Sequence, residues 1–521
     1  MEKMKTAYNT LKANIILTII FTLMFCLSLA NCYIIIPLNI YPEYKINETT
    51  PSLIMRNIVY NQIYANLEIG TPKESIQIPL EFESNDFYIA GNAKNLFLKV
   101  PNRWDEINFY NINNSKTCEK VEEKEYDGDN FVSSKYYKDI FYFNETQVEL
   151  EFYLPTNLNR VESGGIGLEL WPLYEITTST IDDKRTFLKK LKDNNLINNF
   201  YWSIFYNSKN FSDNKGFILL GPLPHILNQD LGYYNKEYFD PNYLYHTPAD
   251  IWFDVIKYRF KFDEIFAYRG NNKSDKISYN DLPFNESTRL LNVELYYNSG
   301  GIQASNRFLP YFKNYFKEYI SKGECFLDTF MNNKKNFFYC KNDKNLIIKI
   351  KKNFPSFNFL NRQLNINFEL IPDDLFMEHQ NYVYLLLFFH YTTGDDWIMG
   401  RPFLQKYQFI INPDSKDISF YSCIDKINNT NSNSNSNINP KTNNIDNKIN
   451  TEVIIFIIII IVAVIIIIVL GFFLWKFYLE ARYSRKKRAN ELSDDYEYSN
   501  ADKIDLNSEE NKENINNPIN E

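Results

Sequence analysis

Short apolar-alternating runs constrain the fold of this chain more than any other feature, and they recur from about residue 55 to residue 423. Examples are YANLEIG, SIQIPLEF, VELEFYL, WSIFY, GFILLG, LNINFEL and YQFII, separated by turns of Asn, Asp, Gly and Pro. Alternation sends successive side chains to opposite faces, as in a half-buried β-strand. Helical periodicity is convincing only in RTFLKKLKDNN and RFLPYFKNYFKEYI. The sequence therefore predicts a mainly β domain with few short helices.

Two apolar segments outside this domain predict its topology. Residues 1–32 combine early lysines, an apolar run and small residues before position 33, as in a cleaved secretory signal peptide; an uncleaved anchor is the alternative. The segment from Val453 to Trp475 is unbroken and apolar. As a helix rising about 1.5 Å per residue it is long enough to cross a bilayer. We therefore predict a C-terminal transmembrane helix over 453–475.

Charges beside this segment predict its orientation. Lysines and arginines are concentrated in 476–488, whereas the preceding residues are Asn-rich and almost neutral, so the C-terminus should be cytosolic. The chain is then a single-pass type I protein of the secretory pathway or cell surface. Residues 424–452 form a polar stalk and 476–521 a disordered cytosolic tail. The net charge of −8 gives no basic face for a nucleic acid.

Cysteines and sequons fit an oxidising, luminal compartment. Without the signal, an even number of cysteines remains, and Cys325 with Cys340 is the predicted local disulfide. Cys118 with Cys423 is then left by elimination. Glycosylation is predicted at the Asn-X-Ser/Thr sites Asn47, Asn113, Asn144, Asn210, Asn272, Asn285 and Asn428. No zinc or haem spacing occurs and the histidines lie far apart, so neither a metal nor a cofactor is expected.

Seven segments resemble, in the correct order, the pepsin-like aspartic peptidases. The segment YNQIYANLEIGTPKESIQIPLEFESNDFYIAG resembles the family's first strands, in which IGTP and an alternating strand lead into Asp-Thr-Gly-Ser-Ser. YDGDNFVSSKYYKDIFYF (126–143) is similar to the flap hairpin and places Tyr126 at the flap tyrosine. GGIGLELWP (164–172) resembles the glycine turn that supports the first active-site loop, although it is one residue short.

The remaining segments continue the resemblance to the end of the domain. FYWSIFYNSKNFSDNKGFILLGPLP is similar to the end of the first lobe, and LNVELYYNSGGIQASNRFLPYF to the second active-site loop. CKNDKNLIIKIKKNFPSFNF and WIMGRPFLQKYQFIINPDSKDISFYSC match the closing strands. The resemblance implies a bilobal, double-ψ β-barrel ectodomain with lobes at 58–222 and 223–423. Residues 33–57 would be a short leader in the place of a propeptide.

The resemblance also implies where the reactive groups should lie. The family uses one aspartate from each lobe, and because like charges this close cannot both ionise, the pair shares one proton. The gap-free alignment puts Glu81 at the first aspartate and Asn298 at the second. The family's substrate contacts would fall on Tyr126, Ser84, Ser299 and Gly300.

Both replacements alter that chemistry. Glu81 keeps a carboxylate but extends it by about 1.5 Å, in a kind of site where about 1 Å of misplacement can cost a hundredfold in rate. Asn298 cannot ionise or donate an acidic proton, so the shared-proton pair is lost. Phe82 removes a hydroxyl and Glu83 adds a side chain where the family has glycine. Asp86 is a candidate substitute base, but it falls at a variable position of the family.

The sequence therefore predicts a membrane-anchored homologue of the aspartic peptidases that is catalytically inactive and binds a peptide or protein in its interlobe cleft. One alternative is an active endopeptidase that hydrolyses peptide bonds in the secretory or endolysosomal pathway, using Glu81 with Asn298. A second alternative is a structural surface glycoprotein whose cleft is closed by Phe82 and Glu83.

Overall fold

Strands dominate the chain, as the alternating runs predict. The structure is a computed structural model that describes residues 32–42, 50–91, 110–126, 131–143, 146–158, 164–171, 186–210, 213–252, 255–268, 276–278, 291–304, 306–331, 334–362, 364–390 and 397–421, with a few helical residues between 471 and 485. The chain divides into one unit over Met1–Ser432 and a second over Asn433–Glu521. The strands described below belong to the first unit.

In chain order the strands are β1 (Ile34–Pro42), β2 (Asn61–Ile69), β3 (Glu74–Glu81), β4 (Phe87–Ile89), β5 (Glu119–Tyr126), β6 (Phe131–Phe143), β7 (Thr146–Leu158), β8 (Gly164–Gly167), β9 (Tyr201–Tyr206), β10 (Lys215–Gly221), β11 (Leu244–Pro248), β12 (Asp250–Trp252), β13 (Val255–Lys257), β14 (Arg259–Phe262), β15 (Glu264–Tyr268), β16 (Lys276–Ser278), β17 (Leu291–Leu295), β18 (Ile302–Ala304), β19 (Cys325–Phe330), β20 (Lys335–Lys341), β21 (Ser356–Asn361), β22 (Ile366–Leu370), β23 (Phe376–His379), β24 (Tyr382–His390), β25 (Trp397–Met399), β26 (Phe409–Asn412) and β27 (Asp417–Tyr421). The α-helices are α1 (Pro51–Val59), α2 (Phe187–Asp193), α3 (Pro224–Leu227), α4 (Leu309–Ser321), α5 (Lys344–Asn353), α6 (Pro372–Leu375) and α7 (Arg401–Lys406). All seven predicted strand segments are strands, and both predicted helices, α2 and α4, are present.

Two large sheets hold most of the strands. The first has the order β11-β27-β26-β9-β10-β1-β2-β3-β8-β4-β7-β6-β5, so strands from both ends of the chain share it. The second has the order β14-β17-β25-β18-β24-β20-β19, with β23 paired to β24. Smaller sheets are β16-β15-β21-β22 and the pair β12-β13. One continuous aromatic-rich core links side chains of both large sheets, including Trp202 and Trp397.

The same strand arrangement occurs once in each large sheet. In the first, β3 and β4 are joined by residues 82–86 (loop 1), and β8 lies between them, parallel to β3 and antiparallel to β4. In the second, β17 and β18 are joined by residues 296–301 (loop 2), and β25 lies between them, parallel to β17 and antiparallel to β18. In each sheet, a strand from later in the chain therefore pairs with both strands that flank the loop: β8 for loop 1 and β25 for loop 2.

One segment differs from its predicted structure. CKNDKNLIIKIKKNFPSFNF was matched to closing strands, but its centre is helix α5, between β20 and β21. Asp343 caps this helix by accepting a hydrogen bond from the Leu346 amide at 2.8 Å. Ile347 and Ile350, three residues apart, are both buried. A cap followed by buried residues at helical spacing favours a helix over a strand.

Residues before the first predicted lobe are part of the folded unit. Strand β1 pairs with β10 on one side and β2 on the other. Helix α1 packs Ile54, Met55 and Val59 against aromatic side chains of β19, β20 and β24. The predicted leader of 33–57 therefore contributes a strand and most of a helix to the folded unit.

The structure describes some of the predicted cysteine and glycosylation sites but not all of them. Cys325 and Cys340 form the predicted disulfide across the β19–β20 hairpin. Cys118 is a free thiol, and Cys423 lies outside the described residues. Asn113 and Asn210 are exposed, whereas the other sequons lie outside this range.

The predicted signal peptide and the predicted transmembrane helix are also largely outside the described residues. The signal peptide and almost all of 453–475 lie outside the described part of the chain. Within that part, no helix combines the length and the apolar character that a membrane crossing requires.

Candidate functional site

Loop 1 begins directly after Glu81, which the resemblance predicts at the first aspartate position. Glu81 ends β3 and is half-buried, as is Phe82, whereas Glu83 is exposed. The loop is held by three consecutive amides: Gly167 donates to the Asp86 carbonyl at 2.8 Å, Leu168 to Glu81 at 3.0 Å, and Glu169 to Ser84 at 3.1 Å. The close approach explains Gly167, because a Cβ there would lie 2.5 Å from the Ser84 carbonyl oxygen. The position of loop 1 is thus fixed by the segment 167–169.

Loop 2 is held in the same way and carries Asn298, which the resemblance predicts at the second aspartate position. The Arg401 amide donates to the Ser299 carbonyl at 2.7 Å, and the Tyr296 amide to Met399 at 2.9 Å. A Cβ on Gly400 would clash with the carbonyl oxygens of Ser299 and Gly301. Gly400 therefore supports loop 2 as Gly167 supports loop 1.

Asn298 has an amide side chain where the resemblance predicts an acid. It is half-buried, and its Oδ1 accepts no hydrogen bond from the described residues. The neighbouring Ser299 hydroxyl donates to the Gly301 carbonyl of its own loop at 2.8 Å. Loop 2 therefore presents a neutral amide with an unused acceptor.

An aromatic contact brings the two loops together. The Phe82 ring stacks on the Tyr297 ring with centroids 4.9 Å apart and an interplanar angle of 22°. Both rings also contact Trp202 of β9, at 5.6 Å and 5.2 Å between centroids. The side chains beside Glu81 and Asn298 thus pack into the core between the loops. The sequence singled out Phe82 as a difference from the family pattern, but it did not single out Tyr297 or Trp202. The only signal for Tyr297 was that an aromatic residue directly precedes Asn298.

The hydroxyl of Tyr297 does not replace the missing acid. Burial, and then the neighbouring Tyr206, raises the pKa of Tyr297 well above its ordinary value. Its OH makes no hydrogen bond to any described residue, and the same holds for Trp202 Nε1. A phenol with a raised pKa is a poor proton donor near neutral pH.

Two other carboxyl groups lie near loop 1, and both are buried. Asp86 has no exposed surface, and its amide bonds the Ser84 hydroxyl at 3.1 Å. Glu169 is 4% exposed, and neither carboxyl oxygen has a partner among the described residues. Burial, reinforced by Glu83 and opposed by Lys416, raises the pKa of Glu169 well above its usual range. Glu169 is therefore a buried acid whose neutral form is favoured by its surroundings, and it is out of reach of a substrate.

The chain itself covers part of loop 2. The Asn61 amide donates to the Asn298 carbonyl at 3.1 Å, and the Gly300 amide donates to the Val59 carbonyl at 3.2 Å. Gly300 suits this contact because a Cβ would clash with the Ile58 carbonyl. The Gly300 amide is therefore already engaged by the end of α1.

The other predicted substrate contacts are placed as follows. Ser84 and Ser299 are buried beneath their loops. Tyr126 ends β5 and pairs with Ser134 of β6, in the hairpin predicted as a flap, and its side chain lies outside the described part. Within the described ranges, no three His, Cys, Asp or Glu side chains are grouped closely enough to hold a metal ion.

Sequence comparison with known proteins does not assign this chain to a family. No protein-family model matches the sequence, and no curated protein matches it.

Proposed function

We propose that this chain is a type I membrane protein with a pepsin-like ectodomain, which binds a peptide or protein in its interlobe cleft without cleaving it. The observation that carries the proposal is the repeated arrangement of loop 1 and loop 2. Each loop is held by an inserted strand and a glycine, and the loops meet at Phe82 and Tyr297. One loop bears Glu81 and the other Asn298, so the scaffold of a two-acid site is paired with one acid.

Water-mediated peptide hydrolysis needs a base for the water and an acid for the carbonyl. Glu81 could serve as one of these groups. The candidates for the other are unsuitable: Asn298 is an amide, Tyr297 has a raised pKa, and Asp86 and Glu169 are buried. The proposal of an inactive site follows from this shortage of acids.

Binding does not depend on the missing acid. An extended peptide is held mainly by backbone hydrogen bonds and side-chain pockets, neither of which requires an aspartate pair. Phe82 supports this view because its ring packs on Tyr297 and Trp202 and so is directed into the core. The structural-glycoprotein alternative closes the cleft with Phe82 and Glu83. The inward Phe82 ring argues against that closure, whereas Glu83 is exposed and does not decide it.

Cleavage and binding are tested side by side on the ectodomain, residues 33–425. A diverse peptide library is incubated from pH 3 to 7 with the natural protein, with Glu81→Gln, and with Glu81→Asp, Phe82→Thr, Glu83→Gly and Asn298→Asp combined. We expect the natural protein to release no product, since it lacks a second acid. Thermal unfolding checks each variant, because Phe82→Thr removes a core contact.

Retention on immobilised peptides that carry a non-cleavable hydroxyethylene group measures binding. We expect the natural protein and Glu81→Gln both to be retained. Cleavage by the natural protein that Glu81→Gln abolishes would establish a working peptidase. If the natural protein neither cleaves the library nor is retained on the peptides, the structural-glycoprotein alternative is favoured.

A further inference from the structure

Glu169 is a buried acid with no evident structural partner. It follows β8, is 4% exposed, and both of its carboxyl oxygens lack a hydrogen bond to any described residue. Its own amide holds the Ser84 carbonyl at 3.1 Å, beside the Leu168 amide that holds Glu81. Glu169 therefore belongs to the segment that fixes loop 1. A displacement of Glu169 would act directly on the residues around Glu81.

Two charged groups face this carboxyl. Glu83 approaches from loop 1 and disfavours its ionisation, whereas Lys416 approaches from the turn between β26 and β27 and favours it. The Lys416 ammonium lies 5.0 Å from the centre of the Trp171 ring, two residues after Glu169. Burial is the largest influence and opposes the charged form, so the pKa of Glu169 is raised despite Lys416.

A buried carboxylate without hydrogen-bond donors is strongly unfavourable. When Glu169 loses its proton, the charge is stabilised by moving the side chain out of its buried position, toward water and toward Lys416. That movement pulls the 167–169 segment away and breaks its hydrogen bonds to loop 1.

We propose that Glu169 is a proton-dependent positioning residue for loop 1, which holds the loop in place when neutral and releases it when ionised. The consequence for ligand binding rests on the proposed function, whereas the effect on the loop does not. A ligand held in the interlobe cleft would bind more tightly at acidic pH and dissociate as the pH rises.

The direction follows from proton linkage. Glu169 is an acid whose pKa is higher with the loop in place than in an exposed state, where it is about 4.3. The ordered loop therefore binds more protons, and its stability is intact at low pH and declines above the exposed pKa. For one proton, the free-energy limit is a tenfold change in population per pH unit.

Hydrogen exchange on the full-length protein in detergent tests this without any ligand. Protection of the Gly167, Leu168 and Glu169 amides is measured from pH 5 to 9, after correction for the intrinsic exchange rate. We expect protection to fall by up to about tenfold per pH unit in the natural protein and to stay level in Glu169→Gln. The Arg401 amide, which holds loop 2, is the internal control. Its protection should stay level with pH in both proteins.

Two charge variants keep the test decisive even if Glu169→Gln does not fold. Glu83→Gln removes a like charge and lowers the pKa of Glu169 in the ordered state, so the decline should end at lower pH and be smaller; Lys416→Met removes an opposite charge, so the decline should continue to higher pH and be larger. The same pH profile in all four proteins, or shifts in the reverse directions, would overturn the inference. A hydroxyethylene-containing peptide added at each pH then tests the function separately: no binding with the exchange profile intact would count against the proposed function alone.

Discussion

At the scale of single residues, the contact between the loops depends on the rings of Phe82 and Tyr297, while the Tyr297 hydroxyl contributes nothing visible. That hydroxyl is buried without a partner in the described part of the chain. An unpaired buried hydroxyl costs about 1–3 kcal/mol, and replacing it by an apolar group removes this cost. We expect Tyr297→Phe to leave the free energy of unfolding of the ectodomain unchanged or to raise it by up to about 2 kcal/mol.

Tyr110→Phe is the matched control for this measurement in urea. Tyr110 is equally buried, but its hydroxyl donates to the buried Asp139 carboxylate. Removing that donor should cost about 1–3 kcal/mol. If Tyr297→Phe destabilised the protein as much as Tyr110→Phe, the Tyr297 hydroxyl would have to be bonded, for instance to internal water.

The sequence was enough to single out Glu81 and Asn298 as candidate site residues, but it could not predict their surroundings. Glu81 and Asn298 follow from the IGTP and NSGG motifs, which lie close to them in the chain. The partner of Phe82 is a residue more than 200 positions later, and no local pattern specifies it. Glu169 was hidden for a similar reason, because its burial depends on loop 1 and on Lys416.

At the scale of elements, each loop depends on the absence of one side chain beneath it. We expect Gly400→Ala to lower the free energy of unfolding by about 1–3 kcal/mol or more, because the new Cβ would strike backbone atoms that cannot move away. Gly91→Ala is the control, since its Cβ would meet only the flexible Leu154 side chain, at 3.3 Å. That change should alter stability by less than about 1 kcal/mol. Equal effects of the two variants in urea unfolding would show that loop 2 is not tightly held.

Strands were predictable where alternation and turn residues coincide, because both signals are local. The helices α1 and α5 were missed for different reasons. Helix α5 is rich in Lys and Asn, so its two buried isoleucines are sparse. Helix α1 is specified by its partners on β19, β20 and β24, which lie far away in sequence. Tertiary packing decides such short helices, and isolated propensity does not.

At the scale of the whole folded unit, the two predicted lobes share one sheet. Strands β26, β27 and β11 come from the second half of the chain, yet β26 pairs with β9 of the first half through Ile411 and Trp202. Arg401 adds side-chain hydrogen bonds to the carbonyls of Asn210 and Asp213, at 3.3 Å and 2.7 Å. Separating the halves would expose strand edges and bury no replacement surface.

We therefore expect residues 33–425 to unfold as one cooperative unit in urea, with coincident midpoints for tryptophan fluorescence and far-ultraviolet circular dichroism. Residues 33–222 and 223–425 expressed separately should aggregate or unfold without a cooperative transition, because each lacks part of the shared sheet. Mixing the two fragments during refolding should restore the transition, since all the strand partners are then present. Two fragments that each unfold cooperatively alone would mean that the shared sheet contributes little, and that the loops are aligned by Phe82, Tyr297 and Trp202 instead.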